Sequence, residues 1–486
     1  MRNPLIFILS LLLICQSPAE NERPNIVFAI ADDWGWPHAT AYGNDEVCQT
    51  PTFDKIAKNG VLFQHAYISS PSCTPSRNAI LTGQYHWRLG SGANLWSTLD
   101  TKHQTYPHLL EDAGYHVGSW RKSWGPGNLK NWERHPAGKV YKNPDAFLKE
   151  WDGSKPFCFW LGASDPHRGY KKGSGKDSGM DLSRIKLFDH YTDSEEVRSD
   201  VADYYFEVQR FDRDVGNFIE KLEKLGALEN TIIVMTGDHG MPFPRCKSNL
   251  YDSGARVPLA IQWGKNLKPN RSIEDFVSTT DLAPTFLEAA GIQVPNEMTG
   301  RSLFPIFKSD NAGRVEKQRD HVFTGKERHV PGQEAPDMGG TPMRAIRTHD
   351  FLLIRNFRPD RWPSGTPNHE KAAVKGAWLA DCDNGPTKTY MVMNKDKDAT
   401  HRKAYDLSFA KRPAFELYDL KKDPSQLVNV ADNPAYAESL KSLQERLIAG
   451  LKASGDPREK DSDAADAFFD ALPYLGSGPK FPGAKK

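Results

Sequence analysis

Asn25-Ile26-Val27-Phe28-Ala29-Ile30-Ala31 runs without a break into Asp32-Asp33. An unbroken apolar run with β-branched members, rather than an apolar–polar alternation, is what a strand covered on both faces requires, so this stretch predicts a buried parallel strand. Paired acids at the carboxyl end of such a strand stand where open α/β sheets place their ligands, although an Asp-Asp pair also suits a solvated turn. The pattern recurs. Residues 115–120 predict a strand that delivers Arg121-Lys122-Ser123-Trp124-Gly125, residues 157–161 lead to Asp165-Pro166-His167-Arg168, and residues 231–236 end in Gly237-Asp238-His239-Gly240. Four apolar strands that each end in chemically able residues describe one rim rather than scattered loops.

Helices fall between these strands. Thr50-Pro51 opens one that Gly60 closes, and residues 106–112 form another, stopped by Gly114. From Val201, the residues Tyr204, Val208, Phe211, Val215, Phe218, Leu222 and Leu225 step by three and four, giving a long amphipathic helix ended by Gly226. Residues 279–290 predict a further helix, and residues 169–199, rich in Gly, Lys, Ser and Asp, a long surface loop. The fold class is therefore α/β, a central sheet flanked by helices. A Gly- and Pro-rich stretch at 331–342 marks a boundary, beyond which 343–357, 416–420 and 436–451 predict a smaller α+β unit, an antiparallel sheet with a packed helix. The expected division is a leader at 1–20, a catalytic domain at 21–338 and a C-terminal subdomain at 339–486.

A chain of 486 residues suits two unequal domains, and a formal charge of +1 gives no reason to expect nucleic acid or an acidic membrane surface as a partner. Arg2, the apolar run 5–15 and Ser17-Pro18-Ala19 read as a secretory signal, because about 11 apolar residues fall short of the ~20 of a membrane span. The mature protein is expected to be exported, periplasmic or extracellular, or lysosomal in a eukaryote, with no membrane attachment after cleavage. Cys48, Cys158, Cys246 and Cys382 allow three pairings and are too few for a disulfide scaffold.

Cys73-Thr74-Pro75-Ser76-Arg77, continuing to Gly83, predicts a short helix with Thr74 as N-cap and Pro75 in the first turn. Its mouth would welcome an anion, Arg77 could clamp an oxyanion, and a thiol so placed would be acidified. A lone cysteine there could equally be buried and inert.

This pentamer resembles the signature of the type I, formylglycine-dependent sulfatases. The resemblance runs from about residue 25 to 432 and includes Thr299-Gly300-Arg301-Ser302-Leu303 and Glu416-Leu417-Tyr418-Asp419. Asp165-Pro166-His167-Arg168 and Met241-Pro242-Phe243-Pro244 with Asn249-Leu250-Tyr251 are most similar to the heparan N-sulfatase (sulfamidase) type and related polysaccharide sulfatases. It implies an alkaline-phosphatase-like mixed sheet, a maturation enzyme that converts Cys73 to formylglycine, and a sulfated oligo- or polysaccharide substrate. It also implies a metal held by Asp32, Asp33, Asp238, His239 and an oxygen of the modified Cys73; three carboxylates suit a hard cation, best Ca²⁺. Arg77, Lys122 and Lys247 match the family's sulfate-binding cations, and His167 its general acid. One departure stands out: where the family has Lys-x-His, this chain has Lys122-Ser123-Trp124. Trp124 is expected to stack on a sugar face, and Lys326, Arg328 and His329 to read the sugar beyond the sulfate. The rival readings are a phosphate or phosphonate ester hydrolase of the same superfamily and a non-catalytic glycan-binding relative.

Overall fold

The computed structural model describes residues 23–43 and 45–483. The leader read at 1–20, with Cys15, lies outside them. The apolar runs do become strands: β1 Asn25–Ala31, β2 Val61–Tyr67, β3 His116–Trp120, β4 Lys139–Tyr141, β5 Phe157–Gly162, β6 Thr231–Gly237, β7 Leu259–Gln262 and β8 Arg271–Ser278. They build one sheet in the order β4-β3-β5-β1-β6-β7-β2-β8. It is mixed, because β7 runs antiparallel to both β6 and β2 while the other pairs are parallel. Every residue of β1, β5 and β6 is buried, as their unbroken apolar character requires.

The two faces of this sheet carry separate cores. Val27, Ala29, Phe159, Ile233 and Met235 pack on the helix Glu195–Lys224 through Tyr204, Val208, Phe211, Val215 and Phe218. Ile26, Phe28, Ile30, Trp160 and Val234 pack on the opposite side against Ile80 and Leu81 and against Phe286 and Leu287 of the helix Leu282–Ala289. The long helix begins at Glu195, six residues before its apolar stripe, because the Ser194 side chain caps it by accepting from the Val197 N–H.

A second sheet has the order β12-β11-β10-β9, with β9 His321–Lys326, β10 Met343–Thr348, β11 Phe351–Asn356 and β12 Phe415–Asp419, antiparallel throughout. The helix Ala437–Ala453 packs on it through Leu443 and Leu447. The boundary expected at 338 falls inside the β9–β10 connection, so the smaller sheet begins earlier in the chain than the Gly/Pro-rich stretch suggested. Cys48, Cys73, Cys158, Cys246 and Cys382 are all free thiols. Among the described residues no helix is long and apolar enough to cross a membrane.

Candidate active site

Register places the site. In the order β3-β5-β1-β6, Ala31 pairs with Gly237, Ile30 with Gly162 and Leu161 with Trp120, so four neighbouring carboxyl ends finish at nearly one level. Asp32-Asp33 and Asp238-His239 leave adjacent strands side by side, and the Asp33 N–H donates to Asp238 Oδ1 at 2.8 Å.

The helix Cys73–Thr82 is buried along its whole length and points its N-terminus at this junction. It starts two residues earlier than expected. Ser72 is the N-cap residue but its hydroxyl pairs with His329 Nδ1 at 2.8 Å, and Thr74, the residue expected to cap, bonds the Pro126 carbonyl at 2.5 Å. Gly83 ends the helix at φ 62°, as its left-handed backbone requires. Cys73 Sγ lies 3.2 Å from His239 Nε2 and 3.7 Å from Asp32 Oδ1. The acidified thiol expected from the helix mouth is not found. Burial pushes the Cys73 thiol well up, and nearby Lys122 does not offset it.

Opposite charges interlock beneath the cysteine. Lys122 Nζ reaches both oxygens of Asp32 at 2.6 Å, Lys247 Nζ bonds Asp33 Oδ2 at 2.8 Å, and Arg77 Nε bonds Asp238 Oδ2 at 2.9 Å. Burial raises the Asp238 carboxyl, but His239, Arg77 and Lys122 together pull it well below the usual carboxylate range. For Lys122 and Lys247 burial works toward the neutral amine, and Asp32 and Asp33 respectively overcome it, so both pKa values are raised.

The acidic set fits a cation. With Nδ1 placed to donate to the Gly240 carbonyl at 2.9 Å, His239 either carries a proton on Nε2, the form that lowers Asp238, or as the neutral imidazole offers an Nε2 lone pair to a cation beside Asp33 Oδ1, 3.1 Å away. Asp33 Oδ1 is buried and accepts no hydrogen bond. A cation bound between these two atoms would take the place of that proton, and donor atoms of Asp33, Cys73 and His239, and of Asp32, Cys73 and Asp238, each lie within 4.8 Å of one another.

Above this floor is a cavity of about 240 Å³ lined by Cys73, Lys122, His167, Lys247, His329 and Asp383, with Trp96 and Tyr474 on its walls. His167 Nδ1 is spent on the Arg168 carbonyl at 2.5 Å, leaving Nε2 3.9 Å from Asp33 Oδ2 and 4.0 Å from Asp383 Oδ2. Asp383 holds Lys247 at 2.7 Å and is 19% exposed; Lys247 and His167 keep its carboxyl low against the upward push of burial.

Three residues expected to touch substrate stand elsewhere. Trp124 packs against the core beneath β3 and donates its indole N–H to Asn78 Oδ1 at 2.7 Å. Lys326 is buried on Asp381 and Ser248, and the Arg328 guanidinium bonds the carbonyls of Met338, Asp470, Leu472 and Pro473. None of the three lines the cavity, whereas His329 does. Asp383 and Trp96 escaped the sequence reading because they lie in irregular segments with no periodicity; the only signal was the acid pair Asp381-Cys382-Asp383.

A family model described as sulfatase matches residues 24–292, more than half of the chain. The chain belongs to the sulfatase family. A second model, N-sulphoglucosamine sulphohydrolase, C-terminal, matches residues 237–363. An ulvan-active sulfatase of Formosa agariphila is 28% identical over 91% of this chain and 82% of its own length, and human N-sulphoglucosamine sulphohydrolase is 27% identical over 90% and 91%. A solved structure in complex with its substrate D-glucosamine-2-N,6-O-disulfate superposes with a TM-score of 0.63 at 21% identity, covering 90% of this chain and 99% of the other. Membership makes this sulfatase an enzyme with an alkaline-phosphatase-like fold, in agreement with the mixed sheet.

Proposed function

We propose that this sulfatase is exported and removes sulfate, as ester or N-sulfate, from a sulfated saccharide, with Cys73 matured to formylglycine and one Ca²⁺ held by Asp32, Asp33, Asp238 and His239. The observation that carries this reading is the position of Cys73 between Asp32 and His239, at the floor of a cavity whose walls bear Lys122 and Lys247. Relatives described as ulvan-active sulfatase and N-sulphoglucosamine sulphohydrolase support a saccharide substrate.

As formylglycine, Cys73 would supply a hydrated aldehyde whose one oxygen attacks sulfur and whose second hydroxyl lets sulfate be expelled. A Ca²⁺ ion would supply neutralisation of charge on the sulfate oxygens and on the attacking oxygen. Lys122 and Lys247, kept protonated by their carboxylate partners, face the cavity and add donors for the sulfate oxygens; Arg77 is fully buried and acts by fixing Asp238 and Asp32. As the S–O or S–N bond breaks, His167 gives its Nε2 proton to the departing oxygen or nitrogen. Neutral again, it accepts the proton released when the second hydroxyl collapses.

The test is anion release measured by ion chromatography: sulfate from nitrophenyl sulfate and from defined heparan, chondroitin, ulvan and carrageenan oligosaccharides, and phosphate from nitrophenyl phosphate. Preference for the sulfate and release from one saccharide series is the expected result. Faster turnover of the phosphate would favour the phosphoesterase reading, and no turnover of anything by formylglycine-bearing protein would favour a glycan-binding role.

A further inference from the structure

The cavity above Cys73 is closed on one side by the segment that follows the helix Ser462–Ala471. After the helix Ser462–Ala471, residues 473–481 cross the site as a strap, and Tyr474, Ser477, Gly478 and Pro479 line the cavity directly. The strap is tied along its length. The Leu475 N–H donates to the Trp96 carbonyl at 3.2 Å, the Trp378 N–H to the Pro479 carbonyl at 3.1 Å, and the Phe481 N–H to the Gly376 carbonyl at 2.9 Å. Asn384 Nδ2 donates to the Lys480 carbonyl at 2.6 Å, and the Phe481 ring stacks on His369 with centroids 4.0 Å apart and meets Trp378 edge-on.

Close approach is built into the strap's sequence. At Gly476 a Cβ would fall 2.6 Å from the Trp96 indole, and at Gly478, with φ 61°, it would fall 2.9 Å from Val330 Cγ1. Only glycine lets the strap lie flat on these two side chains. Its root is fixed by Arg328, whose guanidinium holds the carbonyls of Asp470, Leu472 and Pro473. The residue expected to read sugar thus positions the wall that sugar meets.

We infer that the strap at residues 473–481 makes this sulfatase selective for the terminal sugar of a chain, by turning what would be a through-going cleft into a pocket for one ring. The inference rests on the sulfatase reading above. About 240 Å³ is below the roughly 300–1,000 Å³ of pockets that enclose drug-sized ligands, so it admits a single sulfated ring and not a run of them. A sugar with neighbours on both sides would have to pass through residues 474–479 or through Trp96. Exclusion here is steric, a clash against the wrong substrate rather than an added contact with the right one.

The test uses matched hexasaccharides, from whichever series responds in the screen above, bearing one sulfate on the terminal sugar or on a middle sugar. The parent enzyme is expected to favour the terminal sulfate by roughly a hundredfold or more. Removing residues 474–486, or loosening the strap with Phe481→Ala, is expected to shrink that preference at least tenfold by raising release from the middle sugar. Nitrophenyl sulfate, which is small enough to need no strap, reports the chemistry separately in every variant. Equal release of terminal and middle sulfate by the parent, with nitrophenyl sulfate still turned over, overturns the inference and leaves the sulfatase reading intact. An unchanged preference in both strap variants overturns it as well. Loss of turnover on nitrophenyl sulfate by the parent would instead break the underlying reading.

Discussion

Around Asp33 and around Glu327, arginines or lysines and carboxylates are buried to the same degree, yet only one group faces a cavity. Glu327 bonds Arg344 at 2.5 Å and Arg458 at 2.5 Å, Arg344 bonds Asp456 at 2.6 Å, and Arg458 bonds Asp466 at 2.6 Å. Each carboxylate oxygen of Glu327 has a guanidinium donor, and the network ties the end of β9 to β10 and to the turn after the helix Ala437–Ala453. Around Asp33 the pairing is incomplete: Asp33 Oδ1 accepts no hydrogen bond, His239 Nε2 lies 3.1 Å from it, and Lys122 and Lys247 line the cavity. Buried charge alone therefore marks no active site. Unspent bonding capacity beside a cavity does, and a fully satisfied network of the same residue types is a structural tie.

The contrast breaks most visibly at Cys73. Cys73→Ala should lower turnover on the order of 10⁴-fold or more, with little change in melting temperature, because the Ser72 and Thr74 side-chain bonds are untouched. The intact mass of the peptide carrying residue 73 should show formylglycine in active protein, and an unmodified thiol at full activity would contradict the mechanism. Glu327→Ala should do the reverse. It removes the carboxylate shared by Arg344 and Arg458, leaving each with one acidic partner, Asp456 and Asp466, and should cost about 3 kcal/mol of stability by denaturant unfolding, with turnover per folded molecule retained.

Acid should separate the clusters more gently. Burial raises the Glu327 carboxyl, but Arg458 and Arg344 bring it from 4.5 down to about 2. A lowered carboxyl pKa means that the folded state binds fewer protons than the unfolded one, so this contribution is complete above pH 4.5 and is lost as the pH falls toward 2. His329 is lowered by burial from 6.5 to about 3, so the unfolded chain takes up that proton first and stability falls as the pH drops below 6.5. Melting temperature should therefore decline below pH 6.5 in the parent. In Glu327→Gln the further loss between pH 4.5 and 2 should be smaller, and an identical acid limb in the two proteins would contradict the assignment. The smallest effects concern two indoles. Trp96→Ala should raise KM for an oligosaccharide several-fold while sparing nitrophenyl sulfate, since Trp96 stands on the cavity wall. Trp124→Phe, which removes the bond to Asn78, should cost about 1 kcal/mol of stability and leave KM alone.

What the sequence revealed follows from how local each signal was. β1, β3, β5 and β6 were legible because a strand buried on both faces must be apolar throughout, and the acids, lysine and histidine at their ends came with them. β2, with Gln64 and His65 in its middle, and β8, with Ser272 and Glu274, did not stand out as unbroken runs, since strands near the sheet edge tolerate polar side chains, and β7, though buried throughout, is only four residues long. Lys326, Arg328 and His329 read as one sugar-reading group, but with Glu327 they are four consecutive side chains that go to Asp381, to Arg344 and Arg458, to the root of the strap, and to the cavity. Spacing along the chain carries no information about that division, which is set by partners 17 to 257 positions away. Asp383 and the strap were illegible for the same reason: irregular backbone is placed by tertiary contacts, not by periodicity.

Whether the charge around Asp33 is an incomplete set awaiting a cation is tested most directly by metal content and turnover on one preparation. The active enzyme should carry one divalent ion per chain, lose both ion and sulfate release on exhaustive chelation, and regain both with Ca²⁺, while Asp33→Ala should bind no ion and Glu327→Gln should bind a full equivalent. Full sulfate release by protein stripped of metal would contradict the account.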